Sequence, residues 1–186
     1  MRHRALPYAI SAAALLFAPT LSAQATTKAP PPNLTDPEVA HVAVTANSID
    51  IELAKFAQTR ARAEGVRRFA VTMITDHSAV NAQAAALASK LGVTPTDNAV
   101  SKSLVSGATA ARAALEKTTG AAFDRAYMDR EVAYHEAVLG ALDGVLIPTT
   151  DNAELKKLLS DVRPAIAAHL AHAKQLRSEL GTTGSR

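Results

Sequence analysis

The stretch VRRFAVTMITDHSAVNAQAAALASKLG, residues 66 to 92, decides the fold class. Val66, Ala70, Met73, Val80, Ala84, Leu87 and Leu91 follow one another by alternating fours and threes once His77 is counted among them. That spacing draws a single stripe along an α-helix and has none of the alternation of a strand. Gly92 can close the helix in a left-handed conformation, and Pro95 lies beyond it. One position is out of character: His77 puts an imidazole where the stripe asks for a core residue.

The same pattern recurs on both sides. Asp36 followed by Pro37 reads as a helix start, an N-cap acceptor and then a residue whose missing N–H costs nothing. From there Val39, Val42, Ala46, Ile49, Leu53 and Phe56 form a first stripe, and Gly65 offers the turn into the second. Residues 93 to 106 read as a loop, followed by a short helix over about 108 to 117. A third long helix opens at Gly120 and ends near Asp143 and Gly144. Asp151 and Glu154 have capping-box spacing for a fourth, with the stripe Leu155, Leu159, Val162, Ile166, His169, Ala173, Leu176, Leu180. Pro164 inside it removes one backbone hydrogen bond and is expected to bend it. The pattern predicts an all-α protein, a four-helix bundle with a long connection between its second and third helices carrying a short extra helix.

The N-terminus reads as an address. Arg2 and Arg4 precede an apolar run from Ala9 to Phe17 and an Ala23-Gln24-Ala25 triplet, the features of a secretory signal peptide over residues 1 to 25. The run is well short of the roughly 20 residues that span a bilayer. Residues 26 to 35, TTKAPPPNLT, form a Pro-rich linker ahead of a bundle domain over 36 to 181. Removing the leader leaves 161 of the 186 residues, enough for one domain with its own core. Without Arg2 and Arg4 the chain has 18 basic against 17 acidic residues, a formal charge of +1. That balance, with 4% aromatics, argues against a nucleic-acid partner. With no cysteine, disulfides, thiolate catalysis and cysteine metal sites are excluded. The expected location is periplasmic or secreted; an envelope or protein partner is left unspecified.

His77 and His169 both fall on core positions. A first hairpin turning near residue 64 puts Asp50 within about one helical turn of His77. A second, turning near 147, brings Asp124 and Tyr127 level with His169. Two readings of these pairs stand side by side. In one, each imidazole simply satisfies a buried carboxylate or phenol, since either left unpaired costs about 1 to 3 kcal/mol. In the other, facing helices build a site for a transition metal such as zinc, copper or iron. Asp76, beside His77, and Glu131 with His135 at i and i+4 are further candidates, the latter pair serving equally as a local ion pair. Met73 at i−4 from His77 suits copper or plain core filling. Glu38-x-x-His41 occurs once, in a first helical turn, where Glu38 complements the helix dipole; a diiron carboxylate bundle needs two such motifs. His172 falls off the stripe of His169 and is expected to face solvent. Ser78 follows His77 directly, so the two point apart and make no nucleophile pair.

Taken in order, Asn47-x-x-Asp50 with Leu53 and Ala57, Phe69-Ala70-x-x-Met73-x-x-Asp76-His77, Gly120-x-x-Phe123-Asp124-x-x-Tyr127, His135, Pro164 and His169-Leu170 resemble an exported bacterial family, domain of unknown function number four-one-four-two. The resemblance covers residues 36 to 180 and implies a ferritin-like helical fold. It brings no activity with it. Asp50 departs from the glutamate usual in the family, a carboxylate one methylene shorter. Members are labelled predicted outer membrane proteins, yet no alternating strands of a barrel are visible here. The chain is expected to be an exported bundle with a non-enzymatic binding or envelope role. The alternative is a metal-binding or redox bundle using His77 and His169, with Asp50, Asp76, Asp124, Tyr127 and His135 as partners.

Overall fold

A computed structural model describes residues 33–182, and the expected leader and most of the linker lie outside them. Within that span the chain is all helical, with five long helices and no strand among the described residues. They are α1 (Asp36–Arg60), α2 (Glu64–Leu91), α3 (Ala99–Glu116), α4 (Gly120–Ala141) and α5 (Ala153–Thr182). α1 packs chiefly on α2 and α4 on α5, and α3 lies against α1. No helix among the described residues is long and apolar enough to cross a membrane.

Two of the expected starts move by one residue. Thr35, not Asp36, is the N-cap of α1, and its backbone N–H donates to Glu38 at 2.9 Å. Asp36 instead accepts the N–H groups of Asp151 and Asn152, at 2.9 and 2.8 Å, tying the start of α1 to the entry of α5. Asn152 rather than Asp151 caps α5, accepting from Glu154 and Leu155 at 3.0 Å each. Ahead of α1, Leu34 is buried in the core.

The turn between α1 and α2 falls on residues 61–63, so Gly65 lies inside α2. Its role is close approach: a Cβ there would sit 3.0 Å from Leu176 Cδ2 of α5. Gly92 does terminate α2 in the left-handed conformation, at φ +63°. The connection that follows is short, because α3 begins at Ala99 and runs 18 residues instead of the ten expected. Asn98 starts it, accepting from Val100 and Ser101 at 2.9 and 3.1 Å. Ser, Gly and β-branched residues early in α3 weaken its helical signal, and burial of Ser101 with Asn98 overrides propensity.

α4 also outlasts its expected end. It continues through a π-helical turn, Leu142–Leu146, and a last turn, Ile147–Thr149, which carries Pro148. The Thr149 and Thr150 hydroxyls donate to the carbonyls of Val145 and Leu146, at 2.8 and 2.6 Å. α5 runs without interruption through Pro164.

The core has two parts. One joins Phe56, Phe69, Met73, Phe123, Tyr127, Met128 and Leu176, with Phe56 edge-on to Phe123 at 5.7 Å. The other joins Leu34, Val39, Val42, Leu142, Leu146, Leu155, Leu159 and Ile166. Buried polar residues from α1, α2, α4 and α5 lie at the level between them.

Candidate metal centre

His77 of α2, His135 of α4 and His169 of α5 converge in this level. Their ring centroids are 5.4 to 5.9 Å apart, and one ring nitrogen from each lies within 4.8 Å of the other two. All three side chains are buried. Each ring is held by its outer nitrogen. His77 Nδ1 is 2.7 Å from Asn47 Oδ1, His135 Nδ1 donates to the Glu131 carbonyl at 2.9 Å, and His169 Nε2 donates to Asp76 Oδ2 at 2.8 Å. For His135 and His169 that acceptor puts the proton on the outer nitrogen and the lone pair on the other, whereas His77 meets an oxygen on both sides, Asn47 Oδ1 and, through Nε2, Asp50 Oδ2 at 3.2 Å. Those other atoms, His77 Nε2, His135 Nε2 and His169 Nδ1, are buried and have no hydrogen-bond partner among the described residues.

Two carboxylates complete the layer. Asp50 of α1 and Glu131 of α4 are wholly buried, and Arg130 Nη1 bonds one oxygen of each, Asp50 Oδ1 at 2.5 Å and Glu131 Oε1 at 2.6 Å. The guanidinium lies 3.9 Å from the Tyr134 ring centroid, and the Tyr134 hydroxyl donates to the Ala46 carbonyl at 2.8 Å. The remaining oxygens, Asp50 Oδ2 and Glu131 Oε2, are buried without hydrogen-bond partners among the described residues. Asp50 Oδ2 is 3.2 Å from His77 Nε2, so the shorter acid does reach the imidazole.

The electrostatics separate the roles of these groups. Burial acts against the Asp50 charge, but the His77 contact and the Arg130 cation outweigh it and hold the carboxyl well below its usual range. Glu131 moves upward, through burial and the neighbouring Asp50 charge. Burial pushes His135 down to about 4 and lowers His169 as well. The layer thus presents His135 and His169 as neutral imidazoles beside one firmly ionised carboxylate. That is a donor set for a divalent cation of borderline softness, zinc, copper(II) or iron(II), with the outer partners orienting each ligand.

The residues singled out in the sequence divide. His77, His135, His169 and Asp50 come together, and Asp76 stands behind His169. Asp124 and Tyr127 do not meet His169. Asp124 is buried near the opposite end, accepting the N–H groups of Arg62 and Ala63 at 2.9 and 2.7 Å. The Tyr127 hydroxyl is buried without a hydrogen-bond partner among the described residues, and burial and the Glu131 charge raise its pKa well above the ordinary value. The reason is the length of α4: a connection centred on residue 151 sets His169 level with about residue 133, near His135 rather than Asp124. Likewise a turn centred on residue 62 sets His77 opposite Asn47. Met73 packs in the aromatic core. Glu38 is engaged with Thr35, His41 is 3.9 Å from Asp97, and His172 is exposed beside Phe69. Arg130 and Tyr134 carried no sequence signal beyond adjacency to Glu131 and His135. Asn47 stood in the motif but was given no role.

Comparison with known proteins gives three findings. No curated protein matches the chain significantly. A solved structure described as "CopM in the Cu(II)-bound form" shares the fold, with a TM-score of 0.60 and 15% identity over 80% of this chain and 99% of that one. The family model described as Domain of unknown function (DUF4142) matches residues 21–176, and the chain belongs to that family.

Proposed function

We propose that this protein binds one transition-metal ion, with His77, His135 and His169 as ligands and Asp50 Oδ2 as the fourth. The observation that carries the reading is the convergence of three buried imidazoles from three helices, with His135 Nε2 and His169 Nδ1 unpartnered among the described residues and His77 Nε2 against the Asp50 carboxylate. A buried polar atom left unpaired costs about 1 to 3 kcal/mol, and two imidazole nitrogens so left beside a His–carboxylate contact point to a shared occupant. The metal would supply a Lewis-acid or one-electron redox centre. The chain's own residues hold His135 and His169 in one tautomer and keep Asp50 ionised. The Cu(II)-bound neighbour of similar fold makes copper(II) the first ion to test, with zinc beside it.

The rest of the reading follows the sequence. The chain is a ferritin-like four-helix bundle of α1, α2, α4 and α5 with α3 added outside it, exported to the periplasm after loss of residues 1–25, without a nucleic-acid partner. A second reading keeps the buried pairs as register keys between helices, favoured by the Asn47–His77, Asp76–His169 and Asp50–Arg130 contacts. Elemental analysis and copper or zinc titration of the purified protein divide the two. Metal binding predicts one ion per chain, lost in His77→Ala, His135→Ala and His169→Ala. A metal-free wild type that takes up no ion, with variants that merely unfold more easily, leaves the register reading alone.

A further inference from the structure

The apolar stripe of α2 changes character at His77. Val66, Phe69, Ala70 and Met73 before it are buried, but no residue of α2 after it is. Val80, Ala84, Leu87 and Leu91 instead line a cavity of about 390 Å³, closed from the other sides by α1, the end of α4, and the α5 residues Leu155 to Ile166. This volume lies within the range of about 300 to 1,000 Å³ typical of small-molecule sites. The cavity is long and narrow in outline: eleven residues separate Val80 from Leu91, and eleven separate Leu155 from Ile166, each about 16 Å of helix.

Its walls are almost wholly aliphatic, with polar groups confined to the two ends. At the outer end Asp36 and Asn152 are already engaged with each other's neighbourhood, Asp36 accepting from the Asn152 N–H. At the inner end Asn47 holds His77, and Asn81 donates through Nδ2 to Ser48 Oγ at 3.1 Å. Asn81 Oδ1 is buried there without a hydrogen-bond partner among the described residues. A long apolar slot with one free acceptor at its deep end specifies its occupant: a straight alkyl chain entering with an uncharged O–H or N–H donor foremost. A carboxylate head is disfavoured, because it offers Asn81 no proton and loses its hydration against aliphatic walls.

We propose that this cavity is a binding site for a single-chain amphiphile with a neutral donor head group, its head on Asn81 Oδ1 and its tail along α2 and α5. The site does not depend on metal at the histidine layer, which lies just beneath Asn81.

Calorimetric titration of the metal-stripped, full-length protein with dodecanol and with dodecyl methyl ether, which lacks the donor, tests it. Saturable one-to-one binding of the alcohol is expected, with the ether several-fold weaker. Ala84→Phe, which fills the slot, should weaken the alcohol at least tenfold, and Ala88→Leu does the same if the first variant folds poorly. Asn81→Leu should bring alcohol and ether to equal affinity. No saturable binding, equal affinity of the two ligands for wild type, or unchanged binding in folded slot-filling variants would overturn the proposal. Copper(II) titration of Ala84→Phe should match wild type while its alcohol binding is lost, so a failed metal site and a failed alkyl site give different results.

Discussion

At the scale of single residues, the buried polar groups do two separable jobs, and substitution should part them. Asp124 takes no part in the histidine layer; its two oxygens accept the Arg62 and Ala63 N–H groups of the turn between α1 and α2. Asp124→Asn removes the charge and turns one acceptor into a donor facing an N–H, so it should cost about 1 to 3 kcal/mol in urea unfolding while metal stoichiometry stays at wild type. His135 shows the opposite profile. Its folded pKa lies near 4, below the ordinary 6.5, because burial penalises the imidazolium. The unfolded chain therefore takes up a proton before the folded one does. The stability tied to His135 is complete above pH 6.5 and drains away as pH falls toward 4. Glu131, shifted upward, works the other way, so the wild-type curve alone mixes the two. Comparison of metal-free wild type with His135→Leu isolates the histidine: wild type should lose up to about 3 kcal/mol relative to the variant between those limits. Equal pH slopes for the two would contradict it.

At the scale of elements, much of the outcome was legible because burial and periodicity agree. The stripe of residues 66 to 91 predicts α2, and Gly92 ends it with the expected positive φ. What failed was the position of ends, where one or two residues redirect a helix. Asp36 reads as a cap but instead holds the connection that leads into α5, a long-range role that local spacing does not encode. Asp143 and Gly144 read as an end to α4, whereas a π-helical turn and two threonine hydroxyls carry the helix to residue 149. That misplacement matters more than its size suggests, since it moved the partner of His169 from Asp124 to His135. Gly65 is the other misread position, taken for a turn and found in a helix crossing. In the first turn of α2 an alanine gains little helical propensity, and its Cβ would press on a buried leucine 3.0 Å away. Gly65→Ala should thus lose about 1 kcal/mol, and Gly65→Val more, by thermal unfolding. A stabilised Gly65→Ala would mean that Leu176 moves freely.

At the scale of the whole molecule, the candidate ligands join parts of the chain that no local contact joins. Asp50 belongs to α1, His77 to α2, His135 to α4 and His169 to α5, so the proposed coordination shell would draw on four helices. An unfolded chain scatters these positions over 120 residues, so it cannot offer the same shell. An ion that binds only the folded form stabilises it in proportion to the logarithm of its concentration over Kd, about 4 kcal/mol at a thousandfold excess. For a chain of this size each kcal/mol is worth about 2 to 4 °C, so saturating metal should raise Tm by roughly 8 to 16 °C. The rise should reverse with chelator and vanish in His169→Ala. Asp76→Asn provides the finer test: it keeps His169 but weakens the acceptor that orients it, so the Tm shift should shrink without disappearing, at about 10- to 100-fold weaker affinity. A shift of equal size in wild type and His169→Ala would place the ion elsewhere on the surface, since only the buried layer requires all four helices at once.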